Sequence, residues 1–290
     1  MFSCAPPLSL ANRILKTELP AFVMTIVNCT PDSFWEKSRF AGSNSDRISK
    51  TTEYILEQFA KGSDIVDIGG ESTRPGAHYI DEDEESERII PVIQAVRKYS
   101  SGVISVDTRK SSVLKEAIKA GADILNDVSA LEDDNAMAKC VAGHKIPVIL
   151  MHKRGSPLIM QEKIVYNDII ESLGFYLNNR VRYAVCEGIE PQKIILDGGI
   201  GFAKDTKANI RIVTSSRDIE QKIENQNVYG MLVGLSRKTF IGEITGKHVE
   251  DRLAGTLSAN MLAVQHGAKI LRVHDSEETI DMLKILKEIG

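Results

Sequence analysis

Short, unbroken apolar runs alternate along the chain with segments whose apolar positions recur every three or four residues. Eight runs read as strands: residues 22–28, 65–70, 103–107, 124–129, 147–151, 193–198, 229–236 and 269–274. They are β-branched and continuous, the pattern of parallel strands covered on both faces. The segments between them have helical spacing. Ile48, Ile55, Leu56 and Phe59 share one face, as do Ile89, Ile90, Ile93 and Val96, and again Val113, Leu114, Ala117 and Ile118. Ser111 and Ser112 are candidate caps for the third helix, and Gly121 is its candidate terminator. Pro91 starts or kinks the second helix, whose acidic approach, 81–87, reads as a solvated first turn favoured by the helix dipole. The clearest helical pattern, 166–187, ends at Gly188.

Eight strands alternating with eight helices predict a single (β/α)8 (TIM) barrel, one domain over 1–290 with its core at about 22–290 and an N-terminal extension at 1–21. A doubly wound open sheet is the competing architecture. The barrel carries a specific expectation: its chemistry lies at the C-terminal ends of the strands.

The polar residues fall there. Successive strands end in Asn28-Cys29-Thr30, in Gly69-Gly70-Glu71-Ser72-Thr73-Arg74-Pro75, in Asp107, in Asn126-Asp127, in Met151-His152, in Asp197, in Ser236-Arg237-Lys238 and in Arg272-Val273-His274-Asp275. Burying one such group without a partner costs a few kcal/mol, so each alone reads as a satisfied structural residue. Converging on one mouth, they read as a polar ligand site. Asp107, Asn126 and Asp197 suit a flat heterocycle with adjacent N–H donors, because a carboxylate takes two parallel hydrogen bonds from a guanidine-like edge. Lys238 can donate to a ring carbonyl, and Arg272 can stack on the ring or bind an anion. Ser236, Arg272, His274 and the end of the first strand supply donors for phosphate oxygens, near the habitual phosphate site of this fold.

Composition narrows the class of partner. Of 290 residues, 36 are basic and 40 acidic, a formal charge of −4, so no global positive field exists to hold nucleic acid or anionic lipid. No run reaches the roughly 18 apolar residues of a membrane span. The first ten residues lack a basic leader and are broken by Pro6 and Pro7, against a signal peptide. Cys4, Cys29, Cys140 and Cys186 are too scattered for a zinc or redox pair and read as reduced thiols of a cytoplasmic enzyme.

The ordered motifs N-x-T-P-D-S-F, D-I-G-G-E-S-T-R-P-G, S-V-D-T, N-D-V-S, L-M-H, D-x-G-I-G-F, S-R-K and R-V-H-D, spread from about Val23 to Asp275, resemble the dihydropteroate synthase family. The resemblance implies condensation of 4-aminobenzoate with 6-hydroxymethyl-7,8-dihydropterin diphosphate, a transferase step of folate biosynthesis and the target of sulfonamides. It implies a pterin held by Asp107, Asn126, Asp197, Lys238, Phe202 and Met151, with Arg272 stacked on it. It places diphosphate on Asn28, Arg74, Arg272 and His274, Mg²⁺ near Asn28, and 4-aminobenzoate near Thr73, Pro75, Ser236 and Phe34. Lys238, Asp107 and Arg272 are the implied catalytic residues, and the loops 31–40 and 73–79 are expected to close over the site.

Three departures from the family pattern stand out. Trp35-Glu36-Lys37-Ser38-Arg39-Phe40 replaces a Gly-containing stretch, Gly198 stands where proline is usual, and Lys153, expected on the surface, replaces a common Met. Other assignments compete for the same residues. A methyltetrahydrofolate methyltransferase would share the Asp/Asn pocket, a Schiff-base aldolase would use Lys238, and a non-catalytic pterin-binding homologue would fit the altered first loop. His144, His248 and His266 read as surface or packed residues, His152 as a support behind the site, and Asp127 as a support for its neighbour. The patterns at 253–266 and 280–286 fit a homodimer interface and a core equally.

Overall fold

The computed structural model describes residues 2–30, 44–72, 79–153, 166–224 and 227–290. Two short strands come first, β1 (Leu8–Ser9) and β2 (Ile14–Leu15), paired antiparallel. Eight further strands follow: β3 (Phe22–Asn28), β4 (Ile65–Gly69), β5 (Val103–Asp107), β6 (Ile124–Asp127), β7 (Val148–Met151), β8 (Ile194–Asp197), β9 (Gly230–Val233) and β10 (Ile270–Val273). All eight pair in parallel, and β10 bonds to both β9 and β3, closing a barrel. Closure excludes the doubly wound alternative.

Helices occupy the connections. α1 (Asn44–Ala60), α2 (Glu82–Arg97), α3 (Ser111–Ala120), α4 (Met137–His144) and α5 (Ile169–Cys186) each link consecutive strands. The next two connections hold two helices each, α6 (Thr206–Val213) with α7 (Ser216–Gln221), then α8 (Thr239–Thr245) with α9 (Leu253–Gln265). α10 (Ser276–Ile289) ends the chain, giving ten α-helices among the described residues where the periodicity predicts eight.

Two apolar layers hold these elements. Strand residues facing outward, such as Val66, Ile104, Leu125, Leu150 and Leu196, pack with the helices. Phe22, Met24, Ile65, Val103, Ile124, Ile149, Ile195, Leu232 and Ile270 form a separate cluster inside the barrel. Ala5, Leu8 and Leu10 join that inner cluster, so the N-terminal extension plugs the barrel floor. Tyr229 Oη donates to the Pro6 carbonyl (2.6 Å) and Arg13 pairs with Asp123 (3.0 Å), fastening the plug.

Local chemistry moves some boundaries. β6 stops at Asp127 because its buried carboxylate accepts from Ser129 N (2.7 Å) and Leu131 N (2.8 Å), folding a turn in which Ala130 and Leu131 are left-handed. Asp127 is thus committed to the turn that follows it. Ser129 lies in that turn, and Ser236 and His274 lie in loops past the ends of β9 and β10. Neither Ser111 nor Ser112 caps α3. Ser111 is its first residue, and Asp134 Oδ2, from a later loop, accepts the Ser111 N–H (2.7 Å). Gly121 does end α3, with φ 116°. α2 starts at Glu82 behind the cap Asp81, and Pro91 lies inside it. Its first turn is acidic but not wholly solvated, since Glu85 is buried and pairs with Lys110. Lys153 is likewise not a free surface group, because Nζ pairs with Asp133 at 2.9 Å. His144, His248 and His266 are exposed.

Candidate active site

Side chains alternate in and out along each strand, so the residue two positions beyond an inner apolar residue also points inward. Counting up from the floor cluster gives Asp67 on β4, Asp107 after Ser105 on β5, Asn126 on β6, Met151 on β7, Asp197 on β8, Gly234 just past β9 and Arg272 on β10. The barrel interior is apolar below and polar above, and the change comes at one level. The polar level opens into a recess lined by Asp107, Asn126, Met151, Asp197, Phe202, Lys238 and Arg272, with Val128, Gly199, Ile200 and Gly234. All six residues assigned to the pterin are among these.

Charge is organised around Arg272. Its Nε donates to Asp67 Oδ2 (2.6 Å) and its Nη2 to Asp107 Oδ2 (2.8 Å). Asn126 Nδ2 donates to the same Asp67 oxygen (2.9 Å), while Asp67 Oδ1, buried, has no hydrogen-bond partner among the described residues. Burial pushes the Asp107 carboxyl well above the usual range; the Arg272 guanidinium pulls against the shift and neighbouring carboxylates reinforce it. Burial also raises Asp197, against a hydrogen bond from Gly199 N (2.7 Å) and the positive charges of Lys238, Arg272 and Lys204. Burial is the largest cause in both, a cost that hydrogen bonds from an N–H-rich or cationic ligand would offset. Lys238 Nζ lies 4.6 Å from the centroid of the Phe202 ring, a cation–π contact.

Beside the recess, Ser236 Oγ accepts from His274 N (3.2 Å) and lies 3.1 Å from His274 Nδ1. Burial, reinforced by Arg272, lowers the His274 pKa to about 4, so the ring is neutral at pH 7. With the Ser236 hydroxyl proton on Nδ1, the ring keeps its own N–H at Nε2. Ser236, assigned to 4-aminobenzoate, is buried with its hydroxyl committed to His274, and it does not line the recess. Asn28 is exposed at the end of β3. Phe34, Thr73, Arg74 and Pro75 lie outside the described residues, as do Trp35 and most of the two loops expected to close.

Three contributors went unassigned in the sequence. Asp67, in the middle of the apolar strand Ile65–Gly69, carries the one available signal, a carboxylate at an inward position. Glu71, after β4, accepts from Arg109 Nε (2.8 Å), Lys110 Nζ (2.9 Å) and Ile80 N (3.0 Å). Burial pushes Glu71 up, but these hydrogen bonds outweigh it and hold the carboxyl below the usual range. The anchored Glu71 fixes the near end of the second loop, and Arg109 stacks 3.5 Å from the Tyr79 ring centroid at its far end. Lys204, buried beside His152, is the third.

A closed parallel barrel with this donor and acceptor set at its C-terminal mouth belongs to the pterin-binding enzymes, and residues 24–274 match the family described as "Pterin binding enzyme". The chain is 38% identical over 274 residues to the dihydropteroate synthase of Haemophilus influenzae, covering 94% of this chain and 95% of that one. A solved dihydropteroate synthase of Xanthomonas albilineans with 4-aminobenzoic acid superimposes with a TM-score of 0.85 at 36% identity, over 98% of both chains. The same enzyme in complex with 7,8-dihydropteroate gives a TM-score of 0.82 at 34% identity, again over 98% of both. The chain belongs to the dihydropteroate synthase family.

Proposed function

We propose that this chain joins 4-aminobenzoate to 6-hydroxymethyl-7,8-dihydropterin diphosphate, giving 7,8-dihydropteroate and diphosphate. The observation that carries this reading is the single level of inward polar groups above an apolar barrel floor. Asp107, Asn126 and Asp197 accept from and donate to the pterin's N–H-rich edge, with Met151 and Phe202 against the ring and Lys238 on its carbonyl. In the free enzyme the Arg272 guanidinium occupies Asp107 and Asp67. The pterin edge replaces it at Asp107, and Arg272 turns to the ring face and the diphosphate.

In the reaction, the bond between the pterin methylene carbon and the diphosphate oxygen breaks, and its electron pair leaves with diphosphate. The methylene cation is delocalised into the electron-rich ring and stabilised by the nearby carboxylates. The amine lone pair of 4-aminobenzoate then forms the new C–N bond, and the proton of the resulting ammonium passes to water or to the released diphosphate. An aniline-type amine is neutral at pH 7, so no strong general base is required. Arg272, His274 Nε2–H, Asn28 and Arg74 receive the diphosphate. Thr73, Pro75, Ser236 and Phe34 are assigned to 4-aminobenzoate, Ser236 by orienting the His274 ring to which its hydroxyl is committed.

Among the described residues no cluster of three acidic, His or Cys side chains is arranged to hold a metal. The exposed amide oxygen of Asn28 suits a Mg²⁺ that arrives on the diphosphate, since Mg²⁺ commonly binds through one or two protein oxygens, waters and substrate phosphates. When bound, it would neutralise leaving-group charge.

A homodimer is part of the same reading. α9 leaves Met261 37% and Leu262 42% exposed, and Ile244 on α8 is 59% exposed, apolar side chains that a second copy would cover. No helix among the described residues is long and apolar enough to cross a membrane.

The test is a coupled diphosphate-release assay with both substrates. Turnover is expected, with losses of about 10²-fold or more for Lys238→Ala and for Asp197→Asn, the scale of one preorganised polar contact. Borohydride trapping of a Lys238 adduct, or absence of turnover, would overturn the reading. Ordered binding is also expected. Calorimetry should show 4-aminobenzoate binding only when diphosphate and Mg²⁺ are present, and equal affinity without them would contradict loop closure.

A further inference from the structure

One wall of the recess is the loop between β8 and α6, which contributes Gly199, Ile200 and Phe202. Three of its residues hold left-handed backbone: Gly199 (φ 64°), Gly201 (φ 84°) and Ala203 (φ 51°). The two glycines adopt it freely, but Ala203 carries a Cβ and holds it only where the loop is tied. Asp197 Oδ1 accepts from Gly199 N (2.7 Å), and Asn209 Oδ1 accepts from Gly201 N (2.9 Å). Lys204 is a further tie.

Lys204 is only 4% exposed. Its Nζ donates to the carbonyl oxygens of Phe202 (2.8 Å) and His152 (3.3 Å) and to His152 Nδ1 (3.0 Å). An ammonium has three protons to donate and accepts nothing, so these three acceptors match its donors. Donation to Nδ1 leaves the ring proton of His152 on Nε2. The ring is braced edge-on by Tyr176, with centroids 4.8 Å apart, and His152 N donates to the Asp197 carbonyl (2.9 Å). The ammonium also sits directly behind Gly199: a Cβ there would lie 3.3 Å from Nζ and 2.0 Å from the His152 carbonyl oxygen.

A buried ammonium is unfavourable for stability. Burial drives the Lys204 pKa down to about 7, opposed by Asp197 and assisted by Lys238. A methionine stem would fill the same space but leave the Phe202 and His152 carbonyls and His152 Nδ1 without this donor, so the cation serves the loop it ties.

We propose that Lys204, acting through His152 and the Phe202 carbonyl, is a positioning residue for the pterin pocket, fixing the Gly199–Phe202 wall against Asp197 and Lys238. It sets pterin affinity without touching the reacting atoms. This inference rests on the pterin reading given above.

The experiment compares wild type with Lys204→Met, His152→Asn and His152→Phe. It measures the calorimetric Kd for 6-hydroxymethyl-7,8-dihydropterin diphosphate together with steady-state KM and kcat. An interaction made equally in ground and transition states moves KM and leaves kcat alone. Lys204→Met is therefore expected to raise Kd and KM about tenfold, with kcat within about threefold. The asparagine oxygen can take the place of Nδ1, so His152→Asn should stay near wild type while His152→Phe follows Lys204→Met. Wild-type affinity in Lys204→Met overturns the proposal, as does a kcat loss at unchanged KM. Should Lys204→Met not fold, the His152 pair decides, and equal behaviour of the two overturns it. If wild type itself fails to bind the pterin diphosphate, the functional reading falls and takes this proposal with it; wild-type-like variants sink the proposal alone.

Discussion

Arg272 is the side chain on which the free site is organised, and Asp67 is the partner that holds it there. The Asp67 carboxylate is fully buried and receives both the Arg272 Nε–H and the Asn126 amide. Removing one partner of a buried pair leaves a charge uncompensated, which costs about 3–5 kcal/mol, and the second carboxylate on Asp107 should hold the loss near the lower figure. Asp67→Asn is thus expected to lower unfolding free energy by about 3 kcal/mol in a denaturant titration. It should also cut kcat/KM by at least tenfold, because Asn126 and Arg272 lose their common anchor. A variant with wild-type stability and turnover would show that the anchor lies elsewhere.

His274 carries the pH dependence that belongs to this scale. Its folded pKa of about 4 lies below its ordinary 6.5. Between those values the unfolded chain binds the proton and the folded chain does not, so stability falls as the pH is lowered through the window. Above 6.5 the contribution is fully present. His274→Gln should flatten that acid limb in a series of thermal melts, and an unchanged limb would assign it to other groups. Diphosphate bound at Nε2 should move the wild-type ring's NMR titration midpoint upward.

At the level of elements, all eight barrel strands were legible in their apolar runs, with β3 and β5 placed to the residue. Strand ends were less legible where a side chain, not the strand's own propensity, stops the ladder, as Asp127 does for β6. The α3 cap was unreadable for a related reason, since Asp134 lies 23 residues downstream of the amide it serves. Asp134→Ala should cost about 1 kcal/mol, the usual cost of a lost N-terminal cap, in equilibrium unfolding. The candidate site was legible because motif order fixes which strand carries each group, and the barrel then forces those groups together. Asp67 is not legible because a continuous apolar strand hides which residues point inward; the split of β-strand residues between two clusters reveals the inner face. Lys204 gave no pattern at all, being polar in a loop that is normally solvated.

The whole molecule depends on the barrel floor. Leu8, in the N-terminal extension, is fully buried among the inner strand residues, so 1–21 completes the core and is more than an appendage. Leu8→Ala should destabilise the protein by about 2–5 kcal/mol, as for other large-to-small changes in a core. A loss below 0.5 kcal/mol in equilibrium unfolding, the range of ordinary surface substitutions, would contradict the plug. The homodimer proposed on Met261 and Leu262 of α9 belongs to this scale too. Met261→Glu with Leu262→Glu should shift the chain from dimer to monomer in sedimentation, while the barrel remains folded.

The claim joining these scales is that alternate strand residues, apolar at the floor and polar at the mouth, converge to seat one flat nitrogen heterocycle. A crystal structure of the chain with the pterin diphosphate tests it most directly. The ring should lie in the recess within hydrogen-bond distance of Asp107, Asn126 and Asp197, with Arg272 released from Asp107. A ring bound outside the barrel mouth, or held there without those three side chains, would contradict it.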